Sequence, residues 1–121
     1  MDIQQEKRTY ENSQWQWFFT GTCRDECSRG DIWMYSTIMG DMLKDIEPDS
    51  RVMFWVCEHG KGPHVHGVLN TTVGQAKLKK LWGAGITHFL KFDADLRDDL
   101  FRYVQTQRVG PVITERCSDE I

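Results

Sequence analysis

RVMFWVCEHGKGPHVHGVLN, residues 51–70, places two strand signals on either side of a turn. RVMFWVCE (51–58) is rich in β-branched and aromatic residues, HVHGVLN (64–70) reads as a second strand, and HGKGP (59–63) has the length and composition of a hairpin loop. Successive side chains of a strand point to opposite faces, so His64 and His66 emerge on one face, roughly 7 Å apart along the strand. Two imidazoles at that spacing can share a metal ion. Glu58 closes the preceding strand, on the side of Val52, Phe54 and Val56, and the short loop returns His64 beside it. Two nitrogens and one carboxylate with open positions suit Mn²⁺ or Mg²⁺, with zinc a poorer match. The plain alternative is a pair of polar residues on a strand face, a common use of histidine.

The flanking segments extend this hairpin into a sheet. QWQWFFTGT (14–22) is an aromatic, partly alternating strand, with Trp15, Trp17 and Phe19 on one side and Phe18 and Thr20 on the other. DIWMYSTIMGDMLKDI (31–46) repeats apolar residues at intervals of three and four behind Asp31, the pattern of an amphipathic helix that Pro48 stops. TVGQAKLKKLWGAG (72–85) reads as a short basic helix, ITHFLKFD (86–93) as a strand and DADLRDDLFRYVQTQ (93–107) as a third helix. VGPVITERCSDEI (109–121) adds an edge strand before fraying. A hairpin flanked by helical crossovers predicts an α+β fold: a central antiparallel sheet of about five strands with helices packed on it, of the ferredoxin-like kind.

Composition sets bounds on the partners. The chain has 121 residues, 40% of them hydrophobic, and no apolar run of membrane-spanning length, which predicts one domain over residues 14–115 with no membrane partner. Residues 1–13 read as a disordered polar lead-in without the apolar centre of a signal peptide, and residues 116–121 as a frayed tail; an intracellular location is expected. Cys23, Cys27, Cys57 and Cys117 are irregularly spaced and read as free thiols. A net charge of −3 excludes a protein that coats nucleic acid through bulk electrostatics, so any nucleic-acid contact is local. Lys77, Lys79 and Lys80, with Lys61 and Lys91, are the clustered cations available for it, and solvated surface lysines are the alternative.

In the last helix Leu96, Leu100, Tyr103 and Gln107 form one stripe at intervals of four, three and four, with Val104 alongside, and that stripe is expected to face the sheet. Tyr103 then presents a phenol, and Gln107 one turn later an amide, toward the covered surface.

Taken together, FFTGT (18–22), FWVCEHGKGPHVHGVL (54–69) and RYVQTQ (102–107) resemble the three ordered motifs of the HUH endonucleases, single-tyrosine branch: the initiators of rolling-circle replication in plasmids and single-stranded DNA viruses. The resemblance implies the HUH endonuclease architecture and a metal-dependent nuclease that nicks and rejoins single-stranded DNA, ordinarily at an origin hairpin, through a 5′-phosphotyrosine. Host or viral helicase and polymerase are its implied partners. His64, Val65 and His66 match the metal motif, Glu58 the acidic third ligand, and Tyr103 the nucleophile. Phe18, Phe19, Thr20 and Thr22 match the first motif, which shapes the site and touches DNA. Gln107 is similar to a glutamine that completes the metal shell in the related tyrosine transposases, so it competes with Glu58. The lysine carried three residues after the tyrosine is Thr106 here, leaving Lys91, Arg102 or Arg108 to replace it.

Two rival classes stay open. A histidine-triad nucleotide hydrolase also alternates histidines in a strand, but it needs a third, and position 68 is valine. A non-catalytic DNA-binding relative would use the histidines only to hold a structural ion.

Overall fold

Arg51–Cys57 (β2) and His64–Asn70 (β3) pair antiparallel, with Arg51 opposite Asn70 and Cys57 opposite His64. The computed structural model describes residues 2–22, 50–57, 64–82 and 87–115. Six successive residues of β2 are buried because both faces of the strand are covered. Val52, Phe54 and Val56 enter one apolar cluster, Met53, Trp55 and Cys57 the other. Trp17–Thr22 (β1) lies on the far side of β3, Thr87–Lys91 (β4) beyond β1, and Ile113–Glu115 (β5) beyond β2. The order β4-β1-β3-β2-β5 is antiparallel at every step. β3 sits between the parallel pair β1 and β2, and β1 between β3 and β4, which is the split pairing of a ferredoxin-like sheet with β5 added at one edge. The α+β expectation therefore holds, edge strand included.

Each face of the sheet has its own cover. Gln75–Trp82 (α2) lies on the first, where Leu78 and Trp82 meet Phe19, Val52, Phe54, Val56, Val65 and Leu69. Two glycines make that approach possible. A Cβ on Gly21 would stand 2.8 Å from the Trp82 ring, and one on Gly67 would stand 2.2 Å from Phe54. On the second face, Ile3–Glu11 (α1) and Arg97–Gln107 (α3) bring Tyr10, Phe101 and Val104 onto Phe18, Met53, Trp55, Cys57 and Val68. A 3₁₀ turn, Ala94–Leu96, leads into α3.

Three local expectations are corrected. Residues 3–11 are not a disordered lead-in but a helix closed by a capping box: the Asp2 carboxylate accepts from Gln5 N at 2.8 Å and the Gln5 amide accepts from Asp2 N at 2.9 Å. Its covered stripe is Glu6, Thr9 and Tyr10, too polar to show as an apolar period. Trp15 does not share a face with Trp17 and Phe19. The strand begins at Trp17, and the Trp15 indole turns back to donate to Tyr10 O at 2.7 Å. Third, α3 is rotated from the expected orientation. Phe101 and Val104 are its buried residues, whereas Leu96 and Tyr103 are 47% and 49% exposed. The helix predicted over 31–46, the loop 59–63 and the tail 116–121 lie outside the described residues. Among the described residues no helix is long and apolar enough to cross a membrane.

Candidate metal and nucleophile site

The face of the sheet beneath α1 and α3 carries both histidines. The register sets Thr22, His64 and Cys57 in one row across β1, β3 and β2, and Thr20, His66 and Trp55 in the next. His64 and His66 are 8% and 6% exposed, and their ring centroids lie 4.7 Å apart at 78°. Their rotamers thus draw the rings closer than the strand rise alone. Phe18 stacks on His66 from β1, with centroids 5.3 Å apart and planes at 29°.

Hydrogen bonds divide the four imidazole nitrogens unequally. His66 Nδ1 lies 3.0 Å from Thr20 Oγ1, so the Thr20 hydroxyl orients this ring. His66 Nε2 is buried with no hydrogen-bond partner among the described residues. His64 Nε2 lies 2.8 Å from Gln107 Oε1, which accepts from that nitrogen in the Nε2–H tautomer. Burial, reinforced by the neighbouring His64, pushes the His66 imidazole down to about 4, so it stays neutral near pH 7 and keeps a lone pair available.

Tyr103 and Gln107 are one turn apart on the margin of α3, and both reach this pair. The Tyr103 ring lies 5.6 Å from that of His66 and is half exposed to solvent. Gln107 closes over His64. The rotation of α3 explains the arrangement: Phe101 and Val104 anchor the helix, which leaves the phenol at the rim instead of in the core.

A divalent ion fits the donor set. Two adjacent imidazoles, one with a buried nitrogen unpartnered among the described residues, and an amide oxygen are of the types that Mn²⁺ accepts, and ligation through His64 Nε2 requires that its proton and its bond to Gln107 give way to the ion. Among the described residues no group of three His, Cys, Asp or Glu side chains is placed to hold a metal ion. Glu58 and Lys61 lie outside the described residues. Val52, Phe54 and Val56, whose side Glu58 was expected to share, line the face opposite the histidines.

The remaining expected DNA contacts separate into two groups. Thr20 and Thr22 share the histidine face. Lys77, Lys79 and Lys80 do not; they ride exposed on α2, whose Leu78 and Trp82 pack against the other face. Lys91 pairs with Trp17 at the end of β4, two residues from Phe89 and so on the α2 side. Two of the stand-ins for the motif lysine are engaged elsewhere. Arg102 pairs with Asp99, Arg108 with Glu6, and the Thr106 hydroxyl donates to Tyr103 O at 2.7 Å. His88 lies opposite Thr20 on β4, on the histidine face and exposed.

Sequence reasoning missed Glu6. It is 2% exposed and accepts from the Trp55 indole and from Arg108 Nη1. The capping pattern D-x-x-Q at residues 2–5 was the available signal for the helix that carries it. Cys57 is a free, buried thiol raised to about 11 by burial; Cys23, Cys27 and Cys117 lie outside the described residues. No protein-family model matches the chain, nor does any curated protein or solved structure.

Proposed function

We propose that the chain is a metal-dependent endonuclease that nicks and rejoins single-stranded DNA through Tyr103, the chemistry of a rolling-circle replication initiator. One observation carries this reading: a half-exposed phenol stands ring to ring with a buried imidazole whose Nε2 has no hydrogen-bond partner among the described residues. His64, His66 and Gln107 would hold Mn²⁺ or Mg²⁺, with a substrate oxygen adding to the shell. When bound, the ion supplies charge that orients and neutralises a phosphodiester.

The chain's own residues account for the rest. Thr20 engages the His66 ring at Nδ1, which leaves Nε2 as the nitrogen that would take the ion. Tyr103 Oη adds to phosphorus, the P–O3′ bond breaks, and the products are a 5′-phosphotyrosine and a free 3′-OH. The phenol proton leaves to solvent, to which Tyr103 is open, and the departing 3′ oxygen takes its proton from water. The ester linkage retained on Tyr103 lets a 3′-OH reverse the step and rejoin the strand.

A relative of the tyrosine transposases is the second reading, and the Gln107 amide at 2.8 Å from His64 favours it. Both branches share the same site chemistry. Labelled single-stranded hairpins incubated with the protein and Mn²⁺ should give a covalent adduct on a denaturing gel. Tyr103→Phe should give none and His66→Ala should reduce it about a hundredfold or more; an adduct that survives in Tyr103→Phe sinks the assignment of the nucleophile.

A further inference from the structure

A carboxylate buried beneath α1 is an unexpected resident of a core, and its partners explain it. Glu6 accepts from Arg108 Nη1 at 2.6 Å on one oxygen and 2.5 Å on the other, and the Trp55 indole shares the first of these. Arg108 Nη1 also donates to Gln105 Oε1 at 2.8 Å, and its Nε and Nη2 donate to Gly110 O at 3.2 and 3.0 Å. Arg108 caps α3 and bridges to Cys57 on β2, and Val109 N donates to Val56 O at 2.8 Å. The guanidinium therefore pins the end of α3 to the sheet at a fixed height. Gln107 is its immediate neighbour in sequence. On the sheet side, Trp55 is the residue directly opposite His66.

One carboxylate thus holds both halves of the site: through Arg108 the helix end that carries Gln107 and Tyr103, and through Trp55 the strand that backs His66. We infer that Glu6 is a positioning residue, set by the N-terminal helix, which fixes the reach of α3 over the histidine pair. Among the described residues its carboxylate accepts from Trp55, Gln105 and Arg108. Its action is to hold the Gln107 amide at His64, and the inference rests on the proposed metal site only for its consequence in ion binding.

The test separates positioning from plain stability. Glu6→Gln keeps an acceptor for the Trp55 indole and removes the ion pair. Arg108→Lys keeps the charge and loses the guanidinium's links to Gly110 and Gln105, and serves if Glu6→Gln fails to fold. Leu78→Ala, in the layer beyond the sheet, matches them for destabilisation. Imidazole ¹⁵N–¹H spectra of the metal-free protein report the His64 Nε2–H donated to Gln107, and calorimetric titration with Mn²⁺ reports affinity.

Glu6→Gln and Arg108→Lys should lose the protected His64 Nε2–H signal and bind Mn²⁺ about tenfold or more weakly, the usual scale for groups that orient ligands. Leu78→Ala should retain both at a comparable melting temperature. If Glu6→Gln melts lower but keeps the His64 signal and the affinity, Glu6 is only a structural pair and the inference is overturned. If the unmodified protein binds no Mn²⁺, the metal reading fails and the His64 signal alone decides the role of Glu6. Failure of the nuclease reading shows separately, in the Tyr103→Phe adduct.

Discussion

His66 uses its two nitrogens differently, and the difference has a measurable cost in acid. Its folded imidazole titrates at about 4, well below the ordinary histidine value, because burial and His64 disfavour the charged form. The unfolded chain takes up a proton at this residue below about pH 6.5, while the folded one does not until about pH 4. Its contribution to stability is therefore complete above pH 6.5 and is lost as pH falls toward 4, at no more than about 1.4 kcal/mol per pH unit. Urea melts of the metal-free protein from pH 8 to pH 4 should show that loss, and His66→Gln should remove it from the slope. Equal slopes for the two proteins would mean that the ring is solvated. The pairing of His64 with His66 was legible from a strand period of two. The neutral state of His66 was not, because it depends on what Phe18, Tyr103 and α3 exclude from the ring.

Strands declared themselves in this chain more clearly than helices did. The β2–β3 hairpin, β1, β4 and the edge strand all follow from β-branched and aromatic runs bounded by turn residues. α1 did not, since its buried stripe is a glutamate, a threonine and a tyrosine whose value lies in their hydrogen bonds. Tyr10 looked like part of a polar leader, yet it is 2% exposed, donates to Arg97 O at 2.8 Å and contacts Trp15, Trp55, Phe92 and Phe101. The rotation of α3 escaped for a related reason. Several apolar stripes fit an eleven-residue helix, and the sheet chose the one through Phe101 and Val104. Strand packing supplies a sharp check at Gly67, where a methyl group would collide with the Phe54 ring. Gly67→Ala should destabilise by about 1–3 kcal/mol in denaturant melts, the scale of overpacking a tight core. A change below a few tenths of a kcal/mol would show that Phe54 can swing away.

The two covers of the sheet assign opposite roles to the two sides of the molecule. Histidines, threonines and tyrosine share one side; Lys77, Lys79 and Lys80 ride on the other. A helix with its side chains is about 10 Å across and the sheet adds to that, more than the Debye length of about 10 Å at 0.1 M salt, so these lysines act on a phosphate at the site only weakly. Replacing all three by alanine should leave adduct formation with a short oligonucleotide unchanged within about twofold at that ionic strength. A tenfold loss would place the strand across α2 and move the DNA path to the opposite side. The cluster read from the sequence was real as a run of charge. Its side was invisible until Leu78 and Trp82 committed the helix to the Phe54 face.

Trp55, buried with its indole on Glu6 and its backbone opposite His66, also gives the protein a built-in optical gauge. Paramagnetic Mn²⁺ quenches an excited indole steeply with proximity, and Trp82 sits behind the sheet. If the proposed imidazole pair takes up Mn²⁺, Trp55 should be dimmed more than Trp82, and the share of the quenching that a Trp55→Phe chain loses measures the part owed to this indole. Occupancy could then be followed in real time, with no label and no nucleic acid present.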